Sequence, residues 1–385
     1  MISLGLNAAQ QAAFHDLLAS SHSVEIVVRV LDKNRAYLAD VSDQLFDGQV
    51  NVDADADVTR SATLSLRDPQ RALAWDTNSP ADGALFLDRQ VQVIYVVVSP
   101  QGTRYSVPLF TGPITKVSRS TDIVNVEAQG VEQTMLPPTV AWFGKTYPKG
   151  IKRSDLIRSI LVDLGNESKF TFTEIPERTA GPYTLVFNEN IWAKAKGVAG
   201  SRYTNHLFYD GRGICVLRRT PTTPAFTFRT GPGGTVTSNP QVNYDVSEVR
   251  NKVRVTGATP KGAKTPVVGV ATAPAGHPLS TRNLGRNGRE RVILDEFTDD
   301  NAKTAAAATA VANARLQQLL LQAVDVTFES LVVPHLEPED VYTIQTPHLS
   351  LSARVRQMTI PLRSGTMSVG YTSKRSVNKA RIRRR

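Results

Sequence analysis

The stretch HLEPEDVYTIQTPHLSLSARVRQMTIPLRSGTMSVGY, His335–Tyr371, decides the fold. Val341, Thr343 and Gln345 alternate with Tyr342, Ile344 and Thr346. A second run opens at Val355 and carries Met358 and Ile360, and Met367, Val369 and Tyr371 form a third. Alternation with a period of two in short runs, broken at Pro347, Pro361 and Ser364-Gly365, predicts an antiparallel meander. Upstream, the alanine-rich stretch 302–322 ends in RLQQLLLQ and predicts a helix, with Asp299 or Asp300 placed to cap it.

A helix dropping into P-x-L-x-P-x-D-V and then a meander resembles the last barrel domain of tail-tip (baseplate) hub proteins of long-tailed bacteriophages. Pro334, Leu336, Pro338, Asp340 and Val341 carry the pattern, and Glu339 stands where that family has glycine. Three further stretches extend the resemblance. RSATLSL (residues 60–66) with Phe110-Thr111-Gly112-Pro113-Ile114 resembles the first barrel of the family. Trp192 followed by LFYDGRGICVLR, ending at Arg218, resembles its inserted domain. NKVRVTG (residues 251–257) and HPLSTRNLGRNG (residues 277–288) resemble its third domain.

The implied fold class is mainly β with an α+β insertion: two related β-barrel, tube-type domains plus a small inserted α/β domain. The expected organisation is a helical extension over 1–23, with Leu6, Ala9, Phe14, Leu17 and Leu18 on one side, and a first barrel over 24–136. A linker follows over 137–150, then the insertion over 151–220, with Ser154 capping a helix and Asp210-Gly211 turning a hairpin. The second barrel occupies 221–373, with a long loop over 257–290, and a basic tail ends the chain at 374–385. Six glycines and four prolines between Gly257 and Gly288 predict that this loop lacks regular elements.

With 385 residues, 41% hydrophobic and 21% charged, the chain has the composition of a multi-domain globular protein. No run approaches the ~20 apolar residues of a membrane span, and no secretory signal is visible. Cys215 is the sole cysteine, which excludes an intrachain disulfide and a cysteine zinc site. Of the net +10, seven bases lie in the last twelve residues, and without them 38 basic residues face 35 acidic ones. That tail reads as a solvated terminus, as a docking arm using Arg381, Arg383, Arg384 and Arg385, or as a nucleic-acid arm that lacks interleaved aromatics.

Asp53, Asp55 and Asp57 read as one face of a strand running through Val50, Val52, Ala54, Ala56 and Val58. An EF-hand loop starting at Asp53 would need glycine at Val58 and glutamate at Leu64, so that chemistry fails. The three carboxylates then form a hydrated face, a weak metal site or, as the resemblance implies, a lumen lining that repels phosphates. Arg282, Arg286 and Arg289 lie in a glycine-rich segment with no Gly-Lys-Ser/Thr ending, which excludes a P-loop and leaves them as partner-docking residues. None of the six histidines has zincin spacing, and no Gly-x-Ser-x-Gly elbow occurs.

No catalytic residue, cofactor or metal is therefore expected. The resemblance implies a structural virion protein, a homotrimeric hub at the tail tip, assembled in the host cytoplasm. Its partners would be the distal tail protein or tail tube ring on one side, and tip, spike or fibre proteins on the other. Tape measure protein and transient passage of genomic DNA through the ring complete the set. The rival readings are a β-rich cell-wall or polysaccharide hydrolase and a carbohydrate-binding adhesin. The chain stops shortly after the third domain, which predicts no fused hydrolase.

Overall fold

The computed structural model describes residues 2, 4–70, 73, 84–87, 89–136, 144–179, 181–186, 189–200, 205–244, 249–260, 262–300, 302–322, 324–347, 349–363 and 365–370. The basic tail and residues 137–143 of the 137–150 segment lie outside them.

The chain opens with α1 (Ala8–Leu18), whose Asn7 and Gln10 cap each other reciprocally. The first meander comprises β1 (Ser23–Leu31), β2 (Tyr37–Asp40), β3 (Leu45–Asp53), β4 (Arg60–Arg67), β5 (Gln90–Val98), β6 (Arg104–Ser120) and β7 (Ile123–Gln129). A 3-10 turn, Val131–Met135, leads out of it. Then come β8 (Lys145–Tyr147), α2 (Arg153–Asp163), β9 (Phe170–Phe172), β10 (Tyr183–Leu185), α3 (Ile191–Gly200), β11 (Asn205–Tyr209) and β12 (Cys215–Arg219). The remaining chain forms β13 (Pro224–Arg229), β14 (Gln241–Tyr244), β15 (Lys252–Gly257), β16 (Val268–Thr272), β17 (Leu294–Asp299) and α4 (Ala305–Gln322). It ends in β18 (Val324–Ser330), β19 (Val341–Thr346), β20 (Leu349–Arg354), β21 (Gln357–Pro361) and β22 (Met367–Gly370). The fold is mainly β.

Strands from both ends of the chain share one sheet, in the order β14-β18-β22-β21-β3-β4-β7-β6-β5-β1-β2. The join is β21 against β3, antiparallel, with Met358 opposite Val52 and Ile360 opposite Val50. Those four side chains are buried, so the pairing continues a hydrophobic core as well as a hydrogen-bond ladder. Strand β6 serves two neighbours: Arg104–Pro113 pairs with β5, and Ile114–Ser120 pairs with β7. The link from β2 to β3 returns to β1, where Val41 N–H donates to Val28 O (2.8 Å) and Val28 N–H to Ser42 Oγ (2.9 Å). The C-terminal meander behaves alike: β13, β19 and β20 form a three-stranded sheet, and β20 runs through Val355 and Arg356 directly into β21.

One hydrophobic cluster runs from Ile2 to Val369 and includes both meanders, α1 and α4. A second cluster is built only from residues between Val131 and Leu217, with Trp192, Leu156, Ile157 and Ile160 at its centre. The insertion therefore has its own core.

Several expectations are corrected. The capping residue of α4 is Thr304, whose Oγ1 accepts from Ala307 N–H at 3.1 Å, whereas Asp299 ends β17 and Asp300 follows it. Helix α2 starts at Arg153 with Lys152 as its N-cap, so Ser154 is inside the first turn and does not cap it. The linker contributes β8 to the insertion, where it pairs with β10 and buries Tyr147, because Lys-Thr-Tyr precedes rather than contains Pro148. Strand β13, within the predicted second barrel, is built on Phe226 and Phe228, which are buried at alternate positions.

The segment 257–290 is not a loop throughout. Within it β16 pairs antiparallel with β15, and Gly269 is the reason it packs there. A Cβ at Gly269 would lie 2.2 Å from the backbone carbon of Ala308, so only glycine lets α4 lie this close. Further on, Asn287 (φ 53°) and Gly288 (φ 73°) form a two-residue turn, and Arg286 and Arg289 exchange backbone hydrogen bonds of 3.1 and 3.0 Å. This is a type I′ hairpin tip, for which Asn-Gly is the preferred pair.

Candidate functional site

The eight residues 334–341 lie where the two meanders, the insertion and α1 meet, and all of them are buried. Glu339, at the position where the resembled family has glycine, has φ +64° and is left-handed. A side chain in that region costs roughly 1–2 kcal/mol. The cost is offset locally: the Glu339 carboxylate accepts from Arg354 Nη1 at 3.1 Å and from Arg356 Nη1. Arg356 also pairs with Asp55 in the turn after β3. Burial pushes the Glu339 carboxyl above the ordinary carboxylate range, and Arg354 opposes that shift.

Two residues earlier, Glu337 is fully enclosed and pairs with Arg60 of β4, and both side chains are at most 3% exposed. Arg60 also donates to Leu109 O (2.9 Å) and Tyr209 O (3.3 Å), so one guanidinium ties β4, β6 and β11 to the C-terminal meander. Burial raises the Glu337 carboxyl, with Arg60 pulling the other way. Asp340 pairs with Arg218 of β12 at 3.0 Å, and Arg218 donates to Pro338 O at 2.8 Å while its guanidinium lies 4.9 Å over the Phe208 ring. The Arg60–Glu337, Arg218–Asp340 and Arg356–Asp55 pairs each span a border between structural units.

The insertion docks on the first meander at a matching place. Gly211, at the β11–β12 turn, would place a Cβ 2.0 Å from Pro108 O, and its carbonyl accepts from Thr111 Oγ1 at 2.9 Å. Arg35 donates to Gly213 O (2.6 Å) and to Glu167 (2.8 Å), and Glu167 also accepts from Tyr209 Oη at 2.9 Å. The Phe110-Thr111-Gly112 and Asp210-Gly211 motifs thus face each other. Cys215 is buried in this core, and burial raises its thiol well above the ordinary range, as for a packed and unreactive side chain.

The other side of the same segment is aromatic. His335, 1% exposed, stacks on His15 of α1 with ring centroids 4.9 Å apart and Nε2 atoms 3.1 Å apart. Phe14 and Phe226 close around the pair. Burial, then the neighbouring His15, lowers His335 to about 3, and burial also lowers His15.

The predicted residues are partly brought together. Strand β3 ends at Asp53, and residues 54–58 turn, so Asp53, Asp55 and Asp57 do not share one strand face. Asp53 accepts from Gln357 Nε2 (3.0 Å) and from Asp55 N–H (3.0 Å), Asp55 pairs with Arg356, and Asp57 is exposed. The turn takes over because Asp53 satisfies the backbone two residues on, which competes with the ladder. Arg286 and Arg289 stand together at the exposed hairpin tip, with exposed Arg282 beside them through Gly285 N–H to Arg282 O (3.1 Å). Arg381, Arg383, Arg384 and Arg385 lie outside the described residues. No group of three or more potential metal ligands occurs among the described residues.

Missed by sequence reading is the outer face of the large sheet. Across β18, β22, β21, β3, β4 and β7, Glu329, Ser368, Thr359, Asn51, Ser61 and Gln129 stand in one row. Thr359 Oγ1 donates to Asn51 Oδ1 at 2.9 Å, and Ser65 Oγ to Asn125 Oδ1 at 2.8 Å. The S-A-T-L-S-L alternation signals this face within β4, but the rows of β18, β21 and β22 come from the other end of the chain.

No family profile matches this sequence. No curated protein matches it by sequence either. Solved structures do share its architecture. The tail protein from Neisseria meningitidis MC58 is 11% identical, with 90% of this chain and 95% of that chain covered and a TM-score of 0.56. The 43 kDa tail protein of prophage MuSo2 from Shewanella oneidensis is 11% identical, with 90% and 97% covered and a TM-score of 0.57. The prophage tail protein gp18 from Listeria monocytogenes EGD-e is 11% identical, with 91% and 95% covered and a TM-score of 0.51. The chain has the fold of phage and prophage tail proteins.

Proposed function

We propose that this chain is a non-enzymatic structural protein of a phage tail tip, a homotrimeric hub. It would join the distal tail protein or tail tube ring to tip, spike or fibre proteins and enclose the path by which DNA leaves. The observation that carries the reading is the β3–β21 seam, which joins two meanders in one sheet and is bridged by the Arg60–Glu337 and Arg356–Asp55 pairs. Two sheet-forming units per chain let three copies present six similar faces to a six-fold tube. The first and second barrels, 24–136 and 221–373, would be those units, with the insertion over 151–220 as an outer buttress. Exposed Arg282, Arg286 and Arg289 at the hairpin tip, and the basic tail, would dock partners.

The test is solution mass by light scattering with negative-stain averaging of the same peak, and immunogold labelling of purified tails. Three copies of the 42.0 kDa chain, about 126 kDa, in a ring with label at the tail end are expected. A monomer absent from tails that clears peptidoglycan in a zymogram would overturn the reading.

A further inference from the structure

We infer that the open face of the β16-β15-β17 sheet, together with the arginine-bearing hairpin 282–291, docks an acidic surface of a different tail polypeptide. This rests on the tail reading above and goes beyond it by fixing the surface and the chemistry of its partner. Four observations support it.

The first is a sheet covered on one side. Val253, Val255, Gly269 and Ala271 are buried toward α4, and Asp295 on that side accepts from Arg315 of α4 at 3.0 Å. The opposite face has three rows, Val268–Thr256–Thr298, Val270–Arg254–Glu296 and Thr272–Lys252–Leu294. Seven of these nine residues are exposed, so the face is open. Strands β15 and β17 run parallel, and parallel pairs are ordinarily covered on both faces.

The second is apolar content. Eleven large hydrophobic side chains are exposed among the described residues, and four of them, Val268, Val270, Val292 and Leu294, gather at this sheet. They stand 38–48% exposed. Single exposed aliphatics are ordinary, whereas a group of them marks a contact surface.

The third is charge. Residues 250–294 carry nine bases and one acid, while the chain outside them and outside its last twelve residues has 29 bases against 34 acids. Arg254 pairs with Glu296 across the face at 3.1 Å. Among the described residues, Lys252, Lys264, Arg282, Arg286, Arg289 and Arg291 have no carboxylate within ion-pair distance. Unpaired bases around an aliphatic centre fit carboxylates around an aliphatic centre: the middle excludes water and the charges choose the partner. The same bases would suit DNA phosphates, but nucleic-acid surfaces interleave them with stacking aromatics. Residues 250–294 contain no aromatic residue.

The fourth is continuity. Asn251 is buried, donates through Nδ2 to Arg291 O and accepts through Oδ1 from Ile293 N–H, both at 2.8 Å. The hairpin is thereby fastened to the Thr272–Lys252–Leu294 end of the face. Three strands of about six residues present roughly 14 by 20 Å, about 280 Å². A standard interface covers about 800 Å² on each partner, so a partner seated on the face extends over the hairpin as well.

The test uses purified DNA-free tails. A carbodiimide joins lysine amines to carboxylates without a spacer, and linked peptides are identified by mass spectrometry. Links from Lys252 or Lys264 to aspartate or glutamate of a different tail polypeptide are expected. Amide exchange over 268–272 and 294–299 is expected to be at least tenfold slower in tails than in the isolated chain. Exchange equally fast in both, or the absence of any link to a different polypeptide, overturns the assignment while the tail reading stands. A chain absent from tails overturns both. Val270→Glu with Leu294→Glu places carboxylates on the face. The isolated variant is expected to unfold at the wild-type temperature, and its linked product in tails to fall at least tenfold. Arg286→Glu with Arg289→Glu repeats the measurement at the hairpin tip if the first pair lowers that temperature. Linked product at the wild-type level from a stably folded variant rules the surface out.

Discussion

The segment 334–341 holds its neighbours by two kinds of contact. At His335 it meets α1 through stacked rings and two imidazoles kept uncharged. From Glu337 to Asp340 it meets β4, β12 and the β20–β21 link through buried ion pairs. The ionic seam joins units that must keep one register across some 280 residues of sequence, and a charge buried without its partner is a heavy penalty for any other arrangement. The imidazole seam fastens only a terminal helix, and it holds while both rings stay neutral. Specificity is concentrated at the first seam and acid sensitivity at the second.

The largest effect should come from breaking the ionic seam on one side. Arg60→Ala leaves Glu337 buried and unpaired and should cost about 3–5 kcal/mol in denaturant unfolding. Arg60→Met with Glu337→Leu should recover most of that loss. A double variant no more stable than Arg60→Ala would mean that Arg60 matters through its bonds to Leu109 and Tyr209 carbonyls instead.

The imidazole seam should show itself in pH. An unfolded histidine takes a proton near 6.5, whereas folded His335 resists one down to about 3. The unfolded chain therefore binds more protons in between. Stability is full above 6.5 and falls as pH drops toward 3, by about 1.4 kcal/mol per pH unit for each such ring. His206 is lowered to about 3 as well, by burial and then Arg218, and shares the slope. The raised carboxyls of Glu337 and Glu339 act in the opposite sense, since their folded forms hold protons more readily. His335→Phe should reduce the loss between pH 7 and 5 by about 2 kcal/mol. An unchanged slope would place the acid response elsewhere.

The smallest effect separates backbone from charge at Glu339. Both Glu339→Gly and Glu339→Ala remove the carboxylate from Arg354 and Arg356, but only alanine keeps the strain of φ +64°. Glycine should be the more stable of the two by about 1 kcal/mol. Equal stabilities would show that the turn relaxes when the carboxylate is gone.

Much of this was legible beforehand. Period-two runs at 341–346 and 60–66 give strands where they stand, Asp210-Gly211 marks its turn, and the P-x-L-x-P-x-D-V stretch marks the junction. What could not be read is what depends on distant partners. Nothing local to Arg60 points to Glu337, and nothing in Val50–Asp53 points to β21. Local competition misled elsewhere: the alternating aspartates look like a strand, yet Asp53 bonds its own backbone and ends it. Glycine-rich 257–290 looks irregular because Gly269 serves a helix contact made 40 residues later.

Strand β6 has a mechanical consequence. Its 17 residues form one unbroken covalent member that belongs to two ladders, one with β5 and one with β7. Tension applied at one part passes to the other along the peptide chain, without crossing a ladder of hydrogen bonds. The β3–β21 seam has no such member: the same pull would load its bonds in shear, so that they share the strain and yield together. Under such a pull the first meander would carry load as a strut, and the seam would set the force at which the two halves part.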